Sequence, residues 1–467
     1  MTDFATVTPT VLEHLRAIFG AESISTGQGD LDLHARDQSH HHAHAPEVVV
    51  YPANAAQVAA LLRLANDARI PVTAWGVGTS LEGNPIPVHG GILISFERMT
   101  KIVALHANDF QVVVEPGIGH KDLNAQLARH GLFFAPDPGA NATIGGMLAN
   151  NAAGIRTVKY GATKDNVVKM QVALADGRLI DVGSRSVKQS SGYDLLHLFV
   201  GSEGTLGLIT EATLKLTPVP SLMSAVVAAF PTVEAAVETV VAVRGSGLDP
   251  AALELIDAAH TRMLRETEGV DLSDHPTLFM EFHAAYQGAL EEGLAMVREI
   301  CEDAGVLQFR ATTDPAERKR LWHARHSSYE IMVRSQPDKQ FFIMDVAVPI
   351  SAYPALIGYV EQLKRETGAT AYMIGHAGDG NVHVEFPYGS TDEYDRAMKL
   401  NDLIVLRALE LGGTATGEHG VGIGKARFME REHGAALDVM RSIKTALDPN
   451  GILNPGKLFP EAVQDGD

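Results

Sequence analysis

The stretch "PDPGANATIGGMLANNAAG", residues 136–154, consists mostly of glycine, alanine and asparagine. It is too small and too polar to form core. The glycines of "TIGGM" allow close backbone approach, and the amide side chains supply hydrogen-bond donors. Two further loops have the same character: "AWGVGTSLEGN" (74–84), which follows a strand, and "GSEGTLGLIT" (201–210), which runs into one. Taken alone, loop 74–84 is either a tight turn or a cradle of exposed amides for a pyrophosphate. It fails the GxGxxG fingerprint because Glu82 occupies the third glycine position, and it lacks the Lys-Ser/Thr of a Walker loop. "GVGIGKA" (420–426) fails as well, having Ala426 where the hydroxyl belongs. Three glycine-rich loops without a nucleotide lysine suit a long dinucleotide lying across them.

Between residues 46 and about 217 short apolar strands alternate with helices, as in "PEVVVYP", "NAAQVAALLRLANDARI" and "PVTAWGVG". Asn54 is the expected N-cap of the helix, whose stripe is Val58, Leu61, Leu62 and Leu64. "LADGRLIDVG" reads as a hairpin on Asp176-Gly177. The prolines of "TPVPS" (217–221) mark a boundary. Beyond it, two strand–helix–strand units separated by a polar stretch predict an antiparallel sheet with helices on one face. A helix pair closed by Pro449-Asn450-Gly451 and Pro455-Gly456 ends the chain. The reading is α+β, with domains at 1–218 and 219–415 and a C-terminal helical segment at 416–467.

A formal net charge of −19 over 467 residues argues against nucleic acid as a partner, since phosphate neutralisation needs a basic face. The single cysteine, Cys301, excludes an intrachain disulfide framework and agrees with a cytoplasmic location. The N-terminus lacks the pattern of a signal peptide, and no apolar run is long enough for a membrane span. "SHHHAHAP" (39–46) is expected to be a solvated loop.

"GHAGDGNVHVEF" (375–386) holds two histidines around a turn-forming Asp379-Gly380. A two-residue type I′ turn there would set His376 directly opposite His383, with Cβ atoms about 4.5–5.5 Å apart. That geometry suits two imidazoles on one metal ion; the bland alternative is two polar residues on a solvated hairpin face. "GEHGVG" (417–422) adds a carboxylate and a third histidine. In an extended loop Glu418 and His419 point in opposite directions, so they serve different roles.

The three glycine loops, in this order, resemble the FAD-binding domain of vanillyl-alcohol-oxidase-type flavoproteins. "LWHARH", "DVAVPIS", "GHAGDGNVH", "GEHGVG" and "NGILNPGK" resemble the FAD-linked D-2-hydroxyacid dehydrogenases, in particular the D-lactate dehydrogenase (cytochrome) branch. The resemblance implies a vanillyl-alcohol-oxidase-type FAD-binding domain of two α+β subdomains and a ferredoxin-like antiparallel cap, with the last segment returning to the flavin. It places FAD against Gly76, Gly78, Thr79, Ser80, Gly139, Thr143, Gly145 and Gly146. Glu203, Gly204 and Ile209 would lie along the adenosine half, and Asn454 toward the ring. With no histidine in 74–84, the FAD is expected to be non-covalent. The resemblance also makes His376, His383 and Glu418 ligands of zinc or manganese, His419 the base and Arg325 the anchor for the substrate carboxylate.

Relatives acting on D-2-hydroxyglutarate carry a lysine just before the aspartate of the D-x-x-x-P strand. Here Phe341, Phe342, Ile343 and Met344 stand there, which favours a small monocarboxylate such as D-lactate. D-2-hydroxyglutarate or glycolate oxidation and a non-catalytic FAD-binding subunit are the alternatives. The resemblance leaves open whether quinone, cytochrome c or an electron-transfer flavoprotein accepts the electrons. It also leaves open peripheral membrane association and a homodimer.

Overall fold

The computed structural model describes residues 4–269 and 271–460. The chain divides into two units. The first comprises the residues up to Ala153, Ala162–Val219 and the chain from Glu418 onward; the second comprises Gly154–Gly161 and Pro220–Gly417.

The first unit contains two larger sheets. In one, β1 (Ile24–Ser25), β2 (Val48–Val50), β3 (Val72–Trp75) and β4 (Ile92–Ser95) lie in the order β1-β2-β4-β3, and β4 runs parallel to both of its neighbours. Between β2 and β3 runs α1 (Ala55–Ala68). The Asn54 side chain caps it by accepting from the Gln57 N–H at 3.1 Å. Its buried stripe of Val58, Leu61, Leu62 and Ala65 packs with Val48, Val50, Val72, Ile92 and Ile94. Leu64 is only partly buried. Ile452 and Leu453 join this core, and Leu453 bridges Val72 in parallel register.

The other sheet is antiparallel: β5 (Ile102–His106), β6 (Gln111–Val114), β7 (Val167–Ala173), β8 (Leu179–Gly183) and β9 (Leu208–Lys215), in the order β5-β6-β9-β7-β8. The expected hairpin joins β7 to β8, with Ala173 opposite Leu179 and Gly177 in the left-handed region at φ 80°. Between β6 and β7 lies α2 (Ile144–Asn150), whose N-cap Thr143 accepts from the Gly146 N–H at 3.3 Å.

The second unit is built on an antiparallel sheet of seven strands among the described residues. They are β10 (Leu222–Ala229), β11 (Ala252–Ile256), β12 (Thr277–Ala284), β13 (Gln308–Thr312), β14 (Gln340–Ala347), β15 (Tyr372–Gly375) and β16 (Asn381–Tyr388), ordered β13-β10-β12-β11-β15-β16-β14. The helices α3 (Val233–Gly245), α5 (Gln287–Asp303), α8 (Tyr353–Thr367) and α9 (Thr391–Glu410) pack with one another and with the strands.

The expectation of helices on one face only is incomplete. Met263 and Leu264 of α4 (Ala258–Glu268), Leu321 and Trp322 of α6 (Pro315–His326), and Ile331 and Met332 of α7 (Ser328–Ser335) form a core with Ala225, Val227, Ala252, Ile256, Phe279 and Ile374. Strand alternation turns Val226, Ala228, Leu253 and Leu255, all buried, to the other side. The reason this second layer escapes the apolar pattern is local. In "PAERKRLWHARH" the apolar stripe is two residues wide, and the rest is mostly charge.

Candidate metal centre and cofactor loops

On the face of the seven-stranded sheet that carries Ala252 and Ile256, β11 also presents Glu254, which is fully buried. Its carboxylate accepts from Nδ1 of His376 at 2.9 Å and from Nε of Arg325 at 3.0 Å; the Arg325 Nη2 contacts it as well. Burial alone would raise the Glu254 carboxyl. The charges and hydrogen bonds of His376 and Arg325 overcome it and hold Glu254 below the usual carboxylate range. In the neutral imidazole, Nδ1 donating to Glu254 makes Nε2 the nitrogen able to offer a lone pair to a metal ion.

The cross-strand pairing of His376 with His383 is not what forms. The register sets His383 opposite Ile374, and a short 3₁₀ turn, Ala377–Asp379, replaces the two-residue turn. Gly380, at φ 72°, closes it, and a Cβ there would run into the Val348 carbonyl. His376 therefore lies beyond the strand, yet its ring centroid is 5.3 Å from that of His383 with the planes at 86°. Behind His383, the Asp345 carboxylate lies 3.6 Å from Nδ1. Asp345 is fully buried and accepts from Asn381 Nδ2 at 2.6 Å, Thr416 Oγ1 at 2.8 Å and the Gly417 N–H at 2.7 Å.

Asp345 thus also fixes the segment that leads into Glu418. Thr414 N donates to the Ala347 carbonyl at 2.9 Å, and Gly417 is tied to β14 one residue before Glu418. Ligand atoms of His376, His383 and Glu418 all lie within 4.8 Å of one another. Two imidazoles and a carboxylate, with carboxylates behind the imidazoles, fit a divalent ion that keeps positions for substrate. Glu254 and Asp345 escaped sequence reasoning. The signal available was an acid in an otherwise apolar strand, as in "ALELI" and "FFIMDVA".

Arg325 is 7 % exposed, so it does not lie on an open helix surface. Its Nε and Nη2 are taken by Glu254. On β14, Phe342 and Met344 are buried, while Phe341 and Ile343 alternate with them on the face of Asp345. None of the four is a cation.

In the first unit, Gly76 and Thr143 bring two of the glycine loops together: a Cβ on Gly76 would stand 2.5 Å from Thr143 Oγ1. Gly78 is left-handed at φ 68°, and Thr79 and Ser80 are half-buried beside it. Gly145 is pressed against Pro116, whereas Gly139 and Gly146 are exposed, with no atom within 4 Å of a Cβ on Gly139. These loops form an open backbone surface that fits a dinucleotide. Gly204 and Ile209 are buried beside them.

Glu203 and Asn454 commit their side chains to protein partners. The Glu203 carboxylate accepts from the N–H groups of Val421 (2.6 Å) and Gly422 (2.9 Å) and from Asn84 Nδ2 (2.7 Å). Burial raises that carboxyl against the opposing pull of these donors. Asn454 Nδ2 donates to the carbonyls of Asn84 and Glu203, and the His419 carbonyl accepts from Asn150 Nδ2 at 3.2 Å.

The histidine loop 39–46 is not uniformly solvated. His42 and His44 are exposed, but His40 and His41 are half-buried with ring centroids 4.3 Å apart. Burial and the charges of His41 and Arg427 push His40 down to about 3, and burial with the charges of Arg427 and Lys457 pushes His41 down to about 4.

Two family models match the chain: an FAD binding domain over residues 46–183, and the C-terminal domain of FAD linked oxidases over 219–458. A probable mitochondrial D-lactate dehydrogenase of Danio rerio is 38% identical over 96% of this chain and 91% of its own length. The mitochondrial D-lactate dehydrogenase [cytochrome] of Arabidopsis thaliana is 37% identical over 99% and 82%. Among solved structures, 4-ethylphenol oxidase from Gulosibacter chungangensis superposes with a TM-score of 0.77 at 18% identity, over 96% of this chain and 97% of that one. At that identity the likeness is one of fold, and the fold is of the vanillyl-alcohol-oxidase type.

Proposed function

The chain belongs to the FAD-linked oxidase family, and on that premise we propose that it oxidises a D-2-hydroxy monocarboxylate, D-lactate foremost, to the 2-oxo acid. The observation that carries the reading is the gathering of His376, His383 and Glu418 within 4.8 Å, with Glu254 orienting His376. The Danio rerio and Arabidopsis relatives, both named D-lactate dehydrogenases, support the substrate. So does the uncharged run Phe341–Met344.

Non-covalent FAD would be held by Gly76, Gly78, Thr79, Ser80, Gly139, Thr143, Gly145 and Gly146, with Gly204 and Ile209 beside it. When bound, it supplies hydride acceptance, and a zinc or manganese ion on the three ligands supplies Lewis acidity toward the substrate hydroxyl. The remaining work falls to side chains. Arg325 receives the substrate carboxylate on the guanidinium edge that Glu254 leaves, and Glu254 keeps that guanidinium from turning. His419 takes the hydroxyl proton on an imidazole nitrogen, a role worth roughly 10²–10⁴-fold.

Reduced enzyme passes its electrons to a quinone, cytochrome c or an electron-transfer flavoprotein; the Arabidopsis relative's name supports a cytochrome. No helix among the described residues is long and apolar enough to cross a membrane. We place the enzyme in the cytoplasm, a reading supported by a single cysteine, Cys301, which leaves no intrachain disulfide framework that would call for an oxidising compartment.

Anaerobic addition of D-lactate to purified holoenzyme should bleach the flavin bands, faster than D-2-hydroxyglutarate does. Faster bleaching by the dicarboxylate would overturn the substrate reading.

A further inference from the structure

Glu203 stands at φ 52°, a left-handed conformation that a side chain of this length adopts only where its surroundings impose it. Asn454, at φ 41°, meets it there. The Glu203 carboxylate is buried and accepts from three N–H donors, two of which belong to the backbone just after His419. The approach is close enough to dictate sequence. A Cβ on Gly420 would stand 2.8 Å from Asn84 Nδ2 and 2.9 Å from Glu203 Oε1, and Gly420 is itself left-handed at φ 82°.

On the same, C-terminal side of the His419 Cα, its own carbonyl accepts from Asn150 Nδ2 at 3.2 Å. Two residues further on, the Glu82 carbonyl accepts from Ile423 N at 2.8 Å and Gly424 N at 3.3 Å. Asn84, Asn150 and Glu203 come one from each of the three glycine-rich loops. The pivot of the His419 side chain is therefore held by the same loops that present an open surface for the cofactor.

We propose that Glu203, braced by Asn84 and Asn454, is a positioning residue for His419: its carboxylate grips the 421–422 amides and aims the imidazole, instead of contacting FAD. The inference rests on the reading of His419 as the base. A carboxylate is needed because it only accepts. In Glu203→Gln the amide must point one N–H at a backbone N–H, so at least one of the three bonds is lost and replaced by repulsion. A proton acceptor misplaced by a fraction of an ångström loses rate while the binding surfaces stay intact.

The test uses holoenzyme carrying Glu203→Gln, Asn84→Ala, His419→Ala and the Glu203→Gln/His419→Ala double change. Asn84→Ala is included because it loosens the brace without burying a new donor. Hydrogen exchange of the peptide covering 417–424 should speed up in Glu203→Gln and Asn84→Ala. FAD affinity, read by flavin fluorescence titration, should stay within about twofold of wild type. The limiting rate of flavin reduction at saturating D-lactate should fall about tenfold or more with little change in substrate affinity. In the double variant Glu203→Gln should cost little beyond His419→Ala, because its effect passes through that imidazole.

Unchanged exchange at 417–424, weakened FAD, or a fully additive double variant would each overturn the proposal. Wild-type reduction by His419→Ala would overturn the base instead, while the exchange data would still decide whether Glu203 grips the loop.

Discussion

Glu254→Gln keeps the shape of the buried side chain but removes the charge that His376 and Arg325 share. Outer-shell partners of metal-bound histidines are worth about 10–100-fold in metal affinity. The variant should therefore bind zinc or manganese that much more weakly and also raise KM for D-lactate, since Arg325 loses its support. Metal titration and steady-state kinetics check both, and unchanged metal affinity would remove Glu254 from the site. His376→Ala, His383→Ala and Glu418→Ala should each lose metal while keeping FAD, as read by elemental analysis and the flavin spectrum. Full metal occupancy in all three would sink the centre.

The cluster of His376, His383 and Glu418 was legible in the sequence because the glycine-rich motifs "GHAGDGNVH" and "GEHGVG" single these residues out. Glu254 and Asp345 were not, because their partners lie 122 residues away at His376 and 36 away at Asn381. Single acids inside apolar strands carry no sign of what they face.

Among the elements, the segment Gly154–Gly161 belongs with the second unit although the chain on either side of it belongs with the first. A polar relay anchors it. Tyr160 Oη and His283 Nδ1 are 2.6 Å apart, His283 Nε2 is 2.6 Å from Glu281, and Arg156 lies 3.6 Å from the same carboxylate. Burial would raise the Glu281 carboxyl, but the His283 hydrogen bond and the Arg156 charge hold it below the usual range. A depressed folded pKa contributes stability above the unfolded value, and that stability is lost as pH falls through the folded one. Glu281→Gln should thus cost roughly 1.5–3 kcal/mol at pH 7, with the gap to wild type closing below about pH 4. Urea unfolding at both pH values checks this, and a gap of equal size at the two would contradict it.

The strands, α1 and the 176–177 hairpin were legible because period and turn chemistry agree with burial. The second helical layer, α4, α6 and α7, was not: a helix that caps a polar sheet face carries charge toward that face as well as toward solvent. The turn at 377–379 was misjudged for a related reason. Asp379-Gly380 signals a turn, but the contacts of Gly380 with Val348, just past β14, select the longer one.

For the whole molecule, two glycine loops meet at Gly76 and Thr143 and the C-terminal chain returns through Leu453 to β3; the FAD proposed for that surface is expected to be non-covalent. Acid precipitation should release the yellow colour into the supernatant; colour remaining in the pellet would mean a covalent bond. We propose that the loop after Gly417 supplies a proton acceptor to a 2-hydroxy acid poised for hydride loss. Stopped-flow flavin reduction by D-lactate in wild type and His419→Ala, over a range of concentrations, tests it most directly. The expected result is a limiting rate lowered by roughly 10²–10⁴-fold, with substrate affinity little changed and metal and FAD retained. A wild-type limiting rate in His419→Ala would contradict it.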